Sequence, residues 1–200
     1  KWQNTITFNT NGGSLVEPIT QDTLTTVAKP TDPSKEGYTF GGWYSDSSLT
    51  NAYTFTTMPS QNITLYAKWN INSYDITFIE NQGTVVNDII DQEYGTIITY
   101  PTTSRTGYTF SGWYIDNGTF AQEFTSTTII SSDITLYAKW VLTQYNIIYD
   151  LDGGTNHSSN PEQYTIAMSD ILLESPTKEG HSFVGWYSDQ ELSSGVYFVS

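Results

Sequence analysis

One aromatic stretch occurs three times in this chain and constrains its fold more than any other feature. It reads YTFGGWYSD at 38–46, YTFSGWYID at 108–116 and HSFVGWYSD at 181–189. The tryptophans Trp43, Trp113 and Trp186 are therefore 70 and 73 residues apart. Self-similarity at a fixed period of this size indicates a row of small repeated modules instead of one large domain.

A second recurring stretch, LYAKW at 65–69 and 136–140, marks where a module closes. The chain opens on Lys1 and Trp2, which match the end of this stretch, so we assign residues 1–2 to a preceding repeat. The modules then span 3–69, 70–140 and 141–200. The third stops before a closing strand. Either it lacks that strand, or the folded unit is permuted and the first module is the incomplete one. The two cases predict disorder at opposite ends of the chain.

The patterning within each module predicts strands. Residues 63–69 alternate, with Ile63, Leu65, Ala67 and Trp69 on one face and polar or tyrosine side chains on the other. Residues 5–9 alternate in the same way and lead into a turn at 11–13, where Asn and Gly accept positive φ. Three further elements are expected: a second strand (15–20, 85–91, 163–167), a helical turn or bridging strand before a proline (24–27, 97–100, 171–174) and a short aromatic strand (53–55, 122–124, 196–198).

No stretch shows sustained helical periodicity, so the predicted class is mostly β, α+β at most. The connections between modules, at 70–74 and 141–144, are short and lack a Gly/Ser or Pro run. They are unlike flexible linkers. We therefore expect small modules arranged as beads in a row, with limited hinge freedom.

The amino-acid composition limits which partners and which cellular compartment we expect for this chain. With 7 basic and 21 acidic residues the net charge is −14, which disfavours nucleic acid and anionic membranes as partners. The chain has no cysteine, so disulfides and thiolate metal sites are excluded. No apolar run approaches the ~18 residues of a membrane span, and no signal segment is present. We expect a fragment of a larger protein, itself monomeric, whose export and anchoring signals lie elsewhere.

Three ordered motifs carry a family resemblance: TITFNTNGG at 5–13, KEGYTFGGWY at 35–44 and LYAKW at 65–69. In this order and spacing they resemble the Listeria–Bacteroides repeat, the B-repeat type of module in internalin-like bacterial surface proteins. The resemblance covers the first two modules whole and the third up to its missing strand. It implies a β-grasp-like module, export to the bacterial cell surface, tandem arrays, and a role as spacer or adhesive stalk.

The aromatic residues divide into a predicted core and a predicted surface. A tryptophan beside glycine in every copy is typical of a core anchor, with the glycine making room for the ring or for a bulge. We therefore place Trp43, Trp113 and Trp186 in the core, with Trp69 and Trp140 on the inward face of the closing strand. Tyr66 and Tyr137 face outward on the same strands. Together with the acidic loops, they are the candidates for contact with a glycan or a mucin-type host protein.

Other candidate chemistry is weaker, and no cofactor is expected. DLDGG at 150–154 resembles the start of a calcium loop, but the bidentate glutamate is missing and the first module has neutral NTNGG there. Lys68 and Lys139 could form isopeptide bonds only if buried beside an acid, whereas their strand places them outside. The acids Asp46, Asp116 and Asp189 recur after the Trp-Tyr pair and are expected to cap a loop. No catalytic dyad or triad can be assembled, so the predicted role is non-enzymatic.

Overall fold

The computed structural model describes residues 2–125, 128–192, 194–196 and 198–199. These residues form fourteen strands and no helix, which confirms the mostly β prediction. Proximity in space divides the chain into two compact units. The first comprises Lys1–Thr77, Asp88–Tyr100 and Thr125–Thr135, and the second comprises Phe78–Asn87, Pro101–Phe124 and Leu136–Ser200.

The first repeat is a four-stranded mixed sheet. Its strands are β1 (Gln3–Asn9), β2 (Ile19–Asp22), β3 (Tyr38–Tyr44) and β4 (Ile63–Ile71), in the spatial order β2-β1-β4-β3. The central strands β1 and β4 run parallel, and each pairs antiparallel with an outer strand. Two antiparallel outer strands thus flank a parallel central pair.

The second repeat forms a sheet with the same spatial order of strands. Its strands are β5 (Ser73–Ile79), β6 (Ile89–Glu93), β7 (Tyr108–Tyr114) and β8 (Ile134–Leu142), in the order β6-β5-β8-β7. The third repeat consists of shorter pairs made by β9 (Tyr145–Asn146), β10 (Gln163–Tyr164), β11 (Ile171–Leu172), β12 (Trp186–Tyr187), β13 (Gly195–Val196) and β14 (Phe198–Val199). There β12 pairs with β13, whereas β3 and β7 pair with closing strands.

Two predicted elements differ from the structure, and for a third the sequence leaves two alternatives open. The turn at 11–13 forms, but β2 starts at Ile19 instead of Leu15, because Ser14 bonds across to Ser34 before the chain returns to β1. The segment at 24–27 combines the two alternatives left open by the sequence: Leu24 lies in a turn with a φ of +66°, and Thr26 forms a β-bridge with Thr57. The short aromatic strand does not form at 53–55, where only isolated bridges flank the segment, and at 122–124 the bridge between Glu123 and Tyr114 is isolated. In the third copy Val196 lies in β13 and Phe198 in β14, and Tyr197 between them lies outside the described residues.

A β-bulge in the aromatic strand directs its large rings to one side. The pairing of β3 with β4 shifts between Phe40 and Gly42, and Gly42 adopts a φ of +111° that suits glycine. Phe40 and Trp43 would face opposite ways in a regular strand, yet their ring centroids lie 5.4 Å apart. The bulge therefore brings both rings into the same core.

The first core is an aliphatic and aromatic cluster beneath this sheet. Ile6, Met58, Leu65 and Ala67 are fully buried, and Trp43 lies against Phe8 with ring centroids 4.7 Å apart. In β4 the alternation predicted from sequence holds, because Leu65 and Ala67 are buried while Tyr66 and Lys68 are only half-buried. Corresponding residues of the second repeat are also buried, among them Ile76, Phe78, Trp113, Leu136 and Ala138.

Candidate functional site

The tryptophan of the recurring aromatic strand is enclosed in the first two repeats. Trp43 and Trp113 are each 2% exposed. Trp113 contacts Phe78 at a centroid distance of 4.6 Å, and its indole N–H donates to the Pro101 carbonyl at 2.8 Å. A ring with this exposure presents no face on which a sugar or a protein surface could stack.

The remaining candidate tryptophans are half-buried and bond to loop carbonyls. Trp69 donates its indole N–H to the Thr10 carbonyl, and Trp140 donates to the Glu80 carbonyl, both at 2.8 Å. Trp186 donates to the Glu174 carbonyl at 3.3 Å. Trp69 and Trp140 thereby tie the closing strand to the turn that follows the first strand of the repeat.

The outward side of β3 and β4 carries a cluster that we call the tyrosine face, made of Tyr44, Tyr66 and Lys68. Tyr66 lies directly across from Tyr44, and the Lys68 ammonium is 5.3 Å from the centre of the Tyr44 ring. A cation over an aromatic ring is attracted by the ring's quadrupole. Lys68 therefore lies on the outward side, as predicted, with its ammonium over the Tyr44 ring.

The second repeat presents the same face with one addition. Tyr137 lies across from Tyr114, and the Lys139 ammonium is 4.8 Å from the Tyr114 ring. Phe120 packs edge-on against Tyr114 at 5.6 Å, and Tyr114 is buried as a result. Tyr66 and Tyr137, the residues singled out from sequence, thus occupy equivalent half-buried positions on two similar surfaces.

The recurring aspartates cap the loop after the aromatic strand, as predicted. Asp46 accepts hydrogen bonds from the backbone N–H groups of Thr50 and Asn51 and from the Ser48 hydroxyl. Asp116 accepts from the Thr119 hydroxyl and from the N–H of Ala121, and Asp189 accepts from the N–H of Ser194. Bonds from the Thr50 N–H, the Ser48 hydroxyl and the Asn51 N–H hold the pKa of Asp46 well below its ordinary value.

This cap makes stability depend on acid pH in a defined direction. Because the pKa of Asp46 is lower in the folded chain, its stabilising effect is complete above the unfolded pKa, about 3.9, and is lost as pH falls further. We expect Asp46→Asn to lower Tm at neutral pH, with the gap to the native chain narrowing below pH ~4. Thermal unfolding followed by circular dichroism from pH ~7 to ~2 measures this, with the exposed Glu17→Gln as control. A pH-independent gap would contradict it.

The turn at 150–154, which resembles the start of a calcium loop, contacts a lysine side chain. Asp152 forms an ion pair with Lys178 at 2.8 Å, and the Lys178 ammonium also donates to the Asp152 carbonyl at 2.6 Å. Among the described residues no group of three or more His, Cys, Asp or Glu side chains is placed to hold a metal ion. The two histidines make local contacts: His157 accepts from the Ser159 N–H, and His181 contacts the Glu179 carbonyl.

The same turn contact occurs in every repeat, and it was not predicted from sequence. Lys35 donates to the Asn11 carbonyl at 3.2 Å, and Arg105 donates to the Asn81 carbonyl at 3.3 Å. Each also lies over the tyrosine that starts the aromatic strand, Tyr38 or Tyr108. The available signal was positional, because a basic residue stands two residues before the same glycine in all three copies.

Comparison with known proteins gives the family. The Listeria-Bacteroides repeat domain matches three times, at residues 5–68, 74–139 and 145–200. The chain therefore belongs to the Listeria-Bacteroides repeat family, and the resemblance seen in its motifs is confirmed.

Three relatives place the repeats in larger proteins. A protein of Evansella cellulosilytica, provisionally described as a membrane protein, is 41% identical over 95% of this chain and 29% of its own length. A second from that organism, provisionally described as a Gly-rich membrane protein, is 40% identical over 96% of this chain and 22% of its length. Internalin H of Listeria monocytogenes is 37% identical over 57% of this chain and 21% of its length. The chain thus spans less than a third of each relative. Among the residues described here, no helix is long and apolar enough to cross a membrane.

Proposed function

We propose that this segment is a non-enzymatic run of tandem repeats in a bacterial cell-surface protein, where it acts as a stalk or spacer and contributes to adhesion. The observation that carries the proposal is the connection between repeats. One residue, Asn72, separates β4 of the first repeat from β5 of the second, and two residues separate β8 from β9. Strands that continue almost directly from one repeat into the next transmit orientation better than a flexible linker would.

The membership of the family and the names of the relatives support the location. Internalin H and the two proteins provisionally described as membrane proteins all contain these repeats within longer chains. The acidic surface adds a further argument, since a net charge of −14 favours solubility and disfavours adsorption to polyanions.

A spacer should be longer than a compact domain of the same size. Compact-domain scaling gives a radius of gyration of about 17 Å for a chain of this length, so we expect small-angle X-ray scattering of the native chain to give a clearly larger value. The scattering curve should not change between low and high protein concentration, because the predicted fragment is monomeric. A radius near the compact value would contradict the spacer role.

The tyrosine face favours a second candidate function, binding of a host glycan or a mucin-type protein. Tyr66 and Tyr137 present half-exposed rings beside a lysine at equivalent positions in two repeats. Aromatic side chains that combine an apolar ring with a polar tip are enriched at binding interfaces. Two copies of one weak site would also gain affinity through multivalency.

Substitution of these tyrosines tests the binding function. If the face binds, Tyr66→Ala with Tyr137→Ala should weaken a saturable interaction by at least about tenfold, as expected for interface aromatics. Binding is measured on glycan and mucin arrays and then by calorimetry, with unchanged circular dichroism as the folding check. Tyr145→Ala, which removes a tyrosine from β9, is the matched control. Equal binding by the native and double-variant chains would exclude this face.

A further inference from the structure

The junction between the first two repeats is hydrogen-bonded from both sides. The Asn72 N–H donates to the Gly37 carbonyl of the first repeat at 2.9 Å, and the Asn72 carbonyl accepts from the Tyr94 N–H of the second at 2.8 Å. The Thr39 hydroxyl also donates to the Asn72 side-chain oxygen at 2.6 Å. The linking residue is thus part of the ladders of both repeats.

A glycine at this junction is covered by a ring from the next repeat. A Cβ atom at Gly37 would lie 2.0 Å from Cδ1 and 2.3 Å from Cγ of Tyr94, which no side chain can tolerate. Gly37 also has a φ of +77°, so two independent constraints select glycine there. The Tyr94 side chain is hydrogen-bonded to the Glu36 carboxylate of the first repeat, and this bond raises the pKa of the tyrosine hydroxyl.

The second junction has the same construction with a different side chain. A Cβ at Gly107, where φ is +76°, would lie 2.3 Å from Cδ1 of Ile166. The Thr143 N–H donates to the Gly107 carbonyl at 3.0 Å, as Asn72 does to Gly37. Tyr94 and Ile166 occupy the same turn of their repeats, since each directly follows the residue whose carbonyl closes that turn, Glu93 or Thr165.

The equivalent position of the first repeat carries a smaller side chain. This residue is Thr23, which directly follows Asp22, the residue whose carbonyl closes the same turn. The Thr23 hydroxyl and N–H both donate to the Trp2 carbonyl, at 2.9 and 3.0 Å. A small polar residue bonded to its own strand stands where the two later repeats carry a large side chain.

We propose that the glycine of one repeat and the large side chain of the next form a lock that fixes the orientation of adjacent repeats. We call Gly37 and Gly107 the socket glycines and Tyr94 and Ile166 the plug residues. Gly180 is the third socket glycine: its φ is +73°, and no atom of the described residues lies within 4 Å of a Cβ built on it. The partner that fits it is another repeat of this family that carries a large apolar plug. This surface is separate from the tyrosine face, so the lock stands whether or not that face binds a ligand.

Amide hydrogen exchange measured by NMR on the full chain tests the lock at each junction. Tyr94→Ala should raise the exchange rate of the Asn72 amide by at least about tenfold and leave that of Thr143 unchanged, because local openings are independent when junctions are separate. Ile166→Ala should do the reverse, so each variant is the control of the other. Tyr94→Phe keeps the ring and should preserve the protection of Asn72. Unchanged Asn72 exchange in Tyr94→Ala would overturn the proposal.

Two glycine substitutions distinguish the effect of the lock on stability from the effect of backbone strain. Gly37→Ala and Gly180→Ala place alanine at nearly the same positive φ, but only the first meets a plug residue. The lock predicts a larger fall in Tm for Gly37→Ala, and a smaller additional effect of that substitution when Tyr94→Ala is already present. Equal falls in Tm for the two glycine variants would overturn it. Should Gly37→Ala fail to fold, the exchange rates of Tyr94→Ala still decide the question.

Discussion

Trp113→Ala is expected to lower the free energy of unfolding of the second repeat by about 3–5 kcal/mol, the usual cost of removing a buried tryptophan. The ring is 2% exposed and packs against Phe78 and Phe110. Alanine would leave a cavity and strand the Pro101 carbonyl that now accepts the indole N–H. Urea unfolding followed by tryptophan fluorescence and by far-UV circular dichroism measures the change.

The exposed Trp2 provides the control for this substitution. Trp2 is 88% exposed, so Trp2→Ala should change stability by less than about 0.5 kcal/mol. The same tryptophan count in both variants keeps the fluorescence signals comparable. A near-neutral result for Trp113→Ala would mean that the ring is open to solvent and available to a ligand, contrary to the core assignment.

Gly83→Ala is expected to destabilise the second repeat by about 1–3 kcal/mol, through overpacking and not through backbone strain. A Cβ there would lie 2.5 Å from Cζ2 of Trp140 and 2.6 Å from the Thr103 hydroxyl. Thr103 is itself buried and donates to the Thr84 carbonyl at 2.7 Å, so it cannot move aside cheaply. The Trp140 ring is also fixed by its bond to the Glu80 carbonyl.

A double-mutant cycle with Trp140→Phe identifies the source of this effect. The smaller ring withdraws the benzo edge that the new methyl group would strike, so Gly83→Ala should cost less in the Trp140→Phe background. The free energies come from urea unfolding of the four chains of the cycle. Strictly additive changes in the free energy of unfolding would show that Trp140 does not pack against Gly83.

The strands could be predicted where the alternation and the repeats agree. The faces of β4 follow directly from its period of two, and the turn at 11–13 follows from residues that accept positive φ. The aromatic strand was located correctly, yet its faces could not be read from alternation, because the bulge at Gly42 turns Phe40 and Trp43 to the same side. A bulge is set by pairing with β4, a strand that lies far away in sequence.

The contacts between repeats could not be predicted for a related reason. Tyr94, Ile166 and Thr23 share a position but not a residue type, so self-similarity gives no signal there. The role of Tyr94 and of Ile166 depends on the glycine that each one covers, and that glycine lies in another copy. Sequence repetition reveals the residues that all copies share. It gives no information about features that differ between neighbouring repeats.

The plug and the socket glycine are both encoded within one repeat, and this has a consequence for how such chains grow. An in-frame duplication of the second repeat would set the Gly107 of one copy against the Tyr94 of the next, and thereby supply both halves of a new junction in one genetic event. Deletion of a whole repeat would likewise leave a socket facing a plug. Recombination at the repeat period can therefore change the length of the array while each product retains an ordered junction.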